Sequence, residues 1–266
     1  MTTRCLRASL VCAALVAASV VSSSAQTLTS TRIKNVVLVH GAWADGSSWS
    51  KVIPLLEAKG LHVVAVQNPL SSLADDVAAT RRAIDAQDGP VLLVGHSYGG
   101  AIITEAGNNP KVAGLVFVAA FGPDTGETLA TTAKAFPATP AGSELRPIED
   151  KFVVLTEKGV AEYFAQDLSD VEKSTLVVTQ GPTSLSVFEA SITDAAWHHK
   201  PSWFVVSAND RMINPDYERF AAKRMGAKVL TLPASHVVML SKPKEVANFI
   251  AEAAVSNAPQ TTAWGR

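Results

Sequence analysis

Gly95-His-Ser-Tyr-Gly99 follows the apolar run Pro90-Val-Leu-Leu-Val94 and precedes a stretch that is compatible with a helix. The five residues have the form G-x-S-x-G, which predicts a sharp strand-to-helix turn, a nucleophile elbow, with Ser97 at its apex. A serine in such a turn has strained backbone geometry, and its neighbours two residues away must be small to avoid a clash. We expect the turn to expose the Ser97 hydroxyl and to direct helix amides toward an oxyanion.

Six short apolar runs are typical of strands that are buried on both faces of a sheet. They are Val36–Val39, Val63–Val66, Val91–Val94, Leu115–Val118, Trp203–Val206 and Val229–Leu232. Helical patterns separate the runs, which predicts an α/β fold with a six-stranded, mainly parallel sheet and helices on both faces. The alternation of apolar runs and helical patterns stops over residues 122–200, a stretch that is too long for a loop. We expect this insertion to form a helical cap over the C-terminal edge of the sheet, where open sheets bind ligands.

Length and composition indicate one large globular domain. The chain has 266 residues, of which 47% are hydrophobic and 18% are charged, and its formal net charge is −1. That charge provides no electrostatic attraction for nucleic acid or for an anionic membrane. Both cysteines, Cys5 and Cys12, lie in the N-terminal segment. A chain that lost this segment could form no disulfide, thiolate nucleophile or cysteine-ligated metal site.

The N-terminal segment has the pattern of an export signal. Two arginines precede the small, apolar residues Ala8–Val21, and Ser23-Ser-Ala25 fits a small-x-small cleavage site. We therefore predict a signal peptide at residues 1–25, a mature domain at residues 26–266, and a periplasmic or secreted protein that has no membrane contact after cleavage. An uncleaved anchor is the alternative.

A serine nucleophile requires a base, and the base requires an acid that orients it. His236 follows the last apolar run on a loop at the edge where Ser97 lies, so it is the predicted base. Asp210 follows the fifth run in a turn and is predicted to accept a hydrogen bond from the His236 ring. The chain order Ser97, Asp210, His236 is that of hydrolases with a G-x-S-x-G turn. Asp124, after the fourth run, is the alternative acid.

An oxyanion site needs two backbone amides. The residue after the nucleophile, Tyr98, is expected to supply one, and Ala42 in the loop after the first strand is expected to supply the other. His40 is interpreted as a buried brace of that loop, with a catalytic role as the alternative. Trp43 is a candidate substrate-binding residue. Aromatic residues of the insertion that are candidates for the same pocket are Phe136, Tyr163 and Phe164.

Four motifs together resemble the α/β-hydrolase fold superfamily. They are His40-Gly-Ala-Trp43, Gly95-His-Ser-Tyr-Gly-Gly100, Asp210-Arg-Met-Ile-Asn-Pro215 and Ser235-His236. The likeness covers nearly all of residues 33–255 and is greatest to the small single-domain branch that holds plant methylesterases, hydroxynitrile lyases and bacterial pyrethroid-type carboxylesterases. The resemblance implies a monomeric or homodimeric serine hydrolase without cofactor or metal. Such an enzyme would hydrolyse a small-molecule carboxylic ester through an acyl-enzyme.

The departures from relatives within that superfamily narrow the chemistry. Hydroxynitrile lyases of this branch have a threonine and a lysine where this chain has Gly41 and Val237, which argues against cyanohydrin chemistry. Dehalogenases and epoxide hydrolases of the fold use an aspartate nucleophile, whereas this chain has Ser97 in that place. Two alternatives stay open. One is lactone, C–C or perhydrolase chemistry on the same three residues, and the other is a ligand-binding protein without turnover.

Overall fold

The computed structural model describes Met1, residues 33–149 and residues 151–256. Apart from Met1, the predicted signal peptide lies outside the described residues. Along the chain the strands and helices are β1 (Asn35–Val39), α1 (Ile53–Glu57), β2 (His62–Ala65), α2 (Leu73–Asp85), β3 (Val91–Ser97), α3 (Gly99–Ala106), β4 (Val112–Ala120), α4 (Leu129–Lys134), β5 (Leu145–Glu149), β6 (Phe152–Leu155), α5 (Asp170–Thr179), β7 (Thr183–Ser184), α6 (Ser186–Glu189), β8 (Ser202–Ser207), α7 (Pro215–Arg224), β9 (Lys228–Leu232), α8 (Val238–Ser241) and α9 (Pro243–Ser256). Short 3₁₀ turns occupy Gly46–Trp49, Pro140–Glu144 and Ala196–His198, and a π-helical turn occupies Gly159–Phe164.

The main sheet has six parallel strands in the order β2-β1-β3-β4-β8-β9. All residues of β1, β3 and β8 are buried, as expected for apolar strands that helices cover on both faces. The predicted α/β fold and its six strands are confirmed. Parallel pairing places the carboxyl ends of all six strands along one edge, so the loops after β1, β3, β8 and β9 meet there.

Helix boundaries follow local capping chemistry. Ser72 precedes α2, and its hydroxyl accepts the Asp75 backbone N–H at 3.1 Å. Asn214 caps α7 in the same way by accepting the Asp216 N–H at 2.9 Å, and Pro215 occupies the first turn. These caps begin both helices directly after loops at the carboxyl edge. Within the described part of the chain, no helix is long and apolar enough to cross a membrane.

The chain between β4 and β8 contains strands as well as helices. β5, β6 and β7 form a separate antiparallel sheet, flanked by α4, α5 and α6. The insertion that was predicted as a helical cap therefore contains helices, together with a small sheet that was not predicted. The strands are short, β5 contains Pro147, and their pairing joins Phe152 to Ser184 across the insertion. None of these three features produces the long alternating pattern by which a strand is recognised in a sequence.

Candidate active site

Ser97 ends β3 at the strand-to-helix turn. Its φ is 55°, in the left-handed region that non-glycine residues seldom adopt, and its side chain is nearly buried. A Cβ at Gly95 would lie 2.5 Å from the Gly99 carbonyl oxygen, and one at Gly99 would lie 2.7 Å from the Val39 carbonyl oxygen. Both glycines are therefore required sterically, because α3 crosses β1 and β3 at backbone contact.

Asp210 and His236 form a buried hydrogen-bonded pair at the same edge of the sheet. His236 Nδ1 donates to Asp210 Oδ2 at 2.6 Å, and both side chains are essentially inaccessible. The other carboxylate oxygen, Oδ1, accepts the backbone N–H groups of Met212 at 2.7 Å and Ile213 at 3.0 Å. These contacts hold Asp210 as an acceptor for the histidine ring, because the three donors come from fixed backbone or ring positions.

The loop that bears His236 is attached to the strand that bears Ser97. His96 Nε2 donates to the His236 carbonyl oxygen at 3.0 Å, and the two imidazole rings lie 4.7 Å apart. Complete burial lowers the pKa of His96 well below its usual range, so it stays neutral. Among the described residues, no hydrogen bond joins Ser97 Oγ to His236. Such contacts are often long in an unliganded enzyme and tighten with substrate.

The loop after β1 passes directly over the nucleophile. A Cβ at Gly41 would lie 2.7 Å from Ser97 Cβ and 3.2 Å from Ser97 Oγ, and Ala42 borders the same cavity as Ser97. His40 Nδ1 donates to the Gly41 carbonyl oxygen at 2.9 Å, while His40 Nε2 accepts the Asn68 backbone N–H at 2.9 Å. Both ring nitrogens are thus occupied by backbone groups. The geometry fits a brace for this loop and leaves His40 no free nitrogen for catalysis.

The Tyr98 side chain is anchored away from the cavity. Its hydroxyl donates to Asp76 Oδ2 at 2.7 Å, and Asp76 Oδ1 accepts the Leu70 N–H at 2.8 Å. Burial raises the pKa of Asp76 to about 6, although both hydrogen bonds favour its charged form. Asp76 is not among the predicted site residues. Its position is legible from the helical period, because Asp76 lies three residues after Leu73 and four before Thr80 on the buried face of α2, whereas Asp75 lies on the exposed face.

A cavity of about 470 Å³ opens beside Ser97 and is mainly apolar. The side chains that line it include Trp43, Phe121, Phe136, Leu145, Phe188, Met212, Ile213 and Tyr217. The insertion between β4 and β8 contributes several of them. Phe136 lines the cavity as predicted, whereas Tyr163 and Phe164 do not. Phe164 packs against the His236 ring instead, at 5.3 Å between centroids.

Trp43 links the loop after β1 to the small sheet. Its backbone N–H donates to Thr183 Oγ1 at 3.0 Å, and its indole N–H donates to the Val153 carbonyl oxygen at 3.2 Å. Its ring stacks on Phe188 with centroids 5.8 Å apart, so both rings form one wall of the cavity. A substrate would therefore meet an indole face whose polar N–H is already satisfied.

Asp124, the alternative acid, lies elsewhere. It is partly exposed and accepts a hydrogen bond from His198 Nε2 at 2.7 Å. Of the two acids, the structure brings Asp210 to His236 and leaves Asp124 paired with a surface histidine. Within the described ranges, no cluster of three or more His, Cys, Asp or Glu side chains is arranged to hold a metal ion.

The fold and this site define a class of protein: a parallel α/β sheet with a serine at a strained turn between a strand and a helix. Residues 36–249 match the alpha/beta hydrolase family, and the chain belongs to it. Methylesterase 2 of Arabidopsis thaliana is 28% identical over 259 residues, covering 82% of this chain and 95% of that protein. The carbendazim hydrolyzing esterase of Nocardioides sp. (strain SG-4G) is 29% identical over 244 residues, covering 82% of this chain and 98% of its own length.

Solved structures share the fold. A pyrethroid hydrolase from Sphingobium faniae JZ-2 superimposes with a TM-score of 0.71 at 22% identity, covering 83% of this chain and 97% of that one. Polyneuridine aldehyde esterase superimposes with a TM-score of 0.72 at 22% identity, covering 83% and 98%. These two structures show the shared fold, and the sequence relatives place the chain among the esterase-like members of the family.

Proposed function

We propose that this chain is a serine esterase that hydrolyses carboxylic esters through an acyl-enzyme, with Ser97, His236 and Asp210 as its catalytic triad. The observation that carries the proposal is the buried 2.6 Å hydrogen bond between His236 and Asp210, on a loop that His96 attaches to the strand of Ser97. A histidine that is oriented by a buried carboxylate next to a strained serine is the arrangement that acyl transfer requires.

The reaction has two halves. The Ser97 Oγ attacks the ester carbonyl carbon while His236 Nε2 takes the hydroxyl proton, and the imidazolium is stabilised by Asp210. The oxyanion accepts hydrogen bonds from the Ala42 and Tyr98 amides, each worth about 3–4 kcal/mol in comparable sites. The tetrahedral species collapses as His236 returns the proton to the departing alkoxide. Water, deprotonated by the same histidine, then attacks the acyl-enzyme, and the carboxylic acid leaves.

The cavity indicates the chemistry of the substrate. Its walls are aromatic and aliphatic, and Lys134, at its border, is the charged residue among the described ones that line it. Such walls favour an uncharged, apolar acyl or alcohol group, because charged groups would lose hydration there without gaining partners. We also propose that the insertion at residues 122–200 acts as a cap, since it supplies Phe136, Leu145 and Phe188 to the cavity.

The names of the sequence relatives support an ester substrate, because they include methylesterases and a carbendazim hydrolyzing esterase. Gly41 and Val237 favour hydrolysis over cyanohydrin cleavage. Gly41 presents no hydroxyl to the cavity, and Val237 is buried and places no cation beside His236. Lactone, C–C and perhydrolase reactions would use the same triad, and a substrate panel separates them.

The N-terminal segment leads to a separate proposal. We infer that residues 1–25 direct export and are removed, so that the enzyme works in the periplasm or outside the cell. N-terminal sequencing of the exported protein should give a chain that begins at Gln26. A mature chain that retains Arg4 and Arg7 contradicts this proposal.

The decisive variant is Ser97→Ala, assayed on p-nitrophenyl acetate and p-nitrophenyl butyrate. We expect turnover to fall by more than about 10⁴-fold, as for removal of a nucleophile in comparable sites. The matched control is Ser47→Ala, because Ser47 is exposed and distant in the chain from the turn. Circular dichroism should be unchanged in both variants. Full activity of folded Ser97→Ala would exclude the mechanism, and no labelling of wild type by a fluorophosphonate would favour a ligand-binding protein.

A further inference from the structure

Glu218 is a fully buried acid directly behind the Asp210–His236 pair. It lies on α7, and no part of the residue is accessible to solvent. Arg219, the next residue, is half-exposed and donates to Asp216 Oδ1 at 2.8 Å on the surface. The charge of Glu218 is therefore not balanced by an ion pair, which makes its burial as a carboxylate costly.

The hydrogen bonds of Glu218 leave one position for a proton. Glu218 Oε2 accepts the Ser207 backbone N–H at 2.8 Å. Oε1 is buried, and no N–H or O–H group of a described residue donates to it. The Glu218 carboxyl also lies within hydrogen-bonding reach of the Asp210 carboxyl. Two buried carboxyl groups in contact repel each other strongly when both are ionised, so a shared proton relieves the contact.

The two acids differ in the donors that face them. Asp210 already accepts three hydrogen bonds, from Met212, Ile213 and His236. Glu218 accepts one backbone N–H, from Ser207. Burial raises the pKa of Glu218 well above its usual range, and the neighbouring Asp210 raises it further. The single donor to Glu218 and its burial both favour Glu218 as the holder of a shared proton.

We propose that Glu218 is a neutral carboxylic acid that donates its O–H to the Asp210 carboxylate and thereby positions Asp210 against His236. Glu218 is a positioning residue, because it acts on the reacting atoms through two other side chains. Its hydrogen bond withdraws charge from the carboxylate that faces the His236 ring and occupies a lone pair that would otherwise be free. A test of this proposal by enzyme kinetics rests on the proposed esterase function. A direct measurement of the protonation state of Glu218 does not.

Three charged or titratable groups of the described chain lie around Glu218. Asp210 faces it from the loop after β8, His236 lies beyond Asp210 on the loop after β9, and Arg219 follows it on α7. Removing the Glu218 donor leaves more negative charge on Asp210 and so stabilises the imidazolium of His236. The acidic limb of the kcat/KM profile should then move to higher pH.

Two substitutions separate the neutral acid from a carboxylate. Glu218→Gln keeps the shape, the acceptor for Ser207 and a donor for Asp210, so the acidic limb should stay where wild type has it. Glu218→Met has a similar volume but no donor, and should move the limb upward by roughly 0.5–1 pH unit. Asp216→Asn is the control, because it removes a negative charge from the exposed side of the same helix. A downward shift in Glu218→Gln, or an unmoved limb in folded Glu218→Met, overturns the proposal.

Infrared difference spectroscopy tests the proton without any turnover. We expect wild type at pH 8 to show the carbonyl band of a protonated carboxylic acid that Glu218→Gln lacks. The same pair of spectra in a Ser97→Ala background should give the same band, so the result is independent of whether the chain is an esterase. Absence of the band from wild type shows that Glu218 is ionised and overturns the proposal. This test does not depend on whether Glu218→Met folds.

Discussion

Gly41→Ala tests whether the loop after β1 holds the oxyanion. The new Cβ would lie 2.7 Å from Ser97 Cβ and 2.9 Å from the His96 carbonyl oxygen. Carbon atoms in contact are normally about 3.5–4.0 Å apart, so the loop must move away from Ser97 by about 1 Å. Neither neighbour can rotate aside, because one is backbone and the other is the first side-chain atom of a strained residue.

That shift is large enough to remove an oxyanion donor. A backbone N–H about 3 Å from the oxyanion would lie about 4 Å away after the move, which is beyond a hydrogen bond. Loss of one donor costs about 10²–10³-fold in kcat in comparable sites. KM should change little, since the oxyanion exists only after attack on the carbonyl. The added methyl group should also lower the free energy of unfolding by about 1–3 kcal/mol.

The assay is steady-state kinetics on p-nitrophenyl butyrate, with the unfolding free energy measured on the same preparations. Gly89→Ala is the matched control, because its Cβ would make an ordinary 3.6 Å contact with Asn35 Nδ2. It should leave kcat unchanged. The reasoning fails if folded Gly41→Ala retains a kcat within about threefold of wild type, because the Ala42 amide could then not be an oxyanion donor.

Three further predictions concern the acid, the buried Asp76 and the elbow. Asp210→Asn should lower kcat by about 10⁴-fold while His236 stays in place, and a loss below about tenfold would exclude Asp210 as the orienting acid. Burial raises the pKa of Asp76 to about 6 in the folded protein. Between about pH 4 and pH 6 the folded state therefore binds more protons than the unfolded state, so the free energy of unfolding falls by about 3 kcal/mol as pH rises. The unfolding free energy of Asp76→Asn relative to wild type should therefore grow across that window and level off above it, and a difference that does not vary with pH contradicts a raised pKa at Asp76. Gly100→Ala would place a Cβ 1.9 Å from the Phe121 carbonyl oxygen, so Tm should fall by at least roughly 6–12 °C, and an unchanged Tm contradicts the contact.

The main sheet could be predicted from sequence because its strands are buried on both faces. Runs such as Val36–Val39 and Val91–Val94 contain no polar residue, and they appear in the structure as β1 and β3. The positions of Ser97, Asp210 and His236 at one edge follow from that topology, since each lies at the end of a parallel strand or within four residues of it. Their roles in catalysis remain a prediction for the variants above.

The strands of the insertion and the burial of Glu218 were not predicted, for two physical reasons. The small sheet depends on pairing between Phe152 and Ser184, residues far apart in the chain, and contains short strands whose local pattern is ambiguous. Glu218 shares the buried face of α7 with Ala221 and Ala222, but alanine marks a buried face only weakly, and a glutamate is almost never fully buried unless it is paired. Its burial depends on α7 packing against β8 beside Asp210, a contact between elements that no short motif records.

The central claim is that Ser97 is the nucleophile, and mass spectrometry after fluorophosphonate labelling tests it most directly. The Ser97 Oγ should displace fluoride at phosphorus, so that one adduct appears on the peptide that contains Gly95–Gly99 and turnover falls in proportion to labelling. Ser97→Ala should remain unlabelled under the same conditions. An adduct on a different residue that accompanies the loss of turnover, or full turnover by a fully labelled enzyme, would contradict the account.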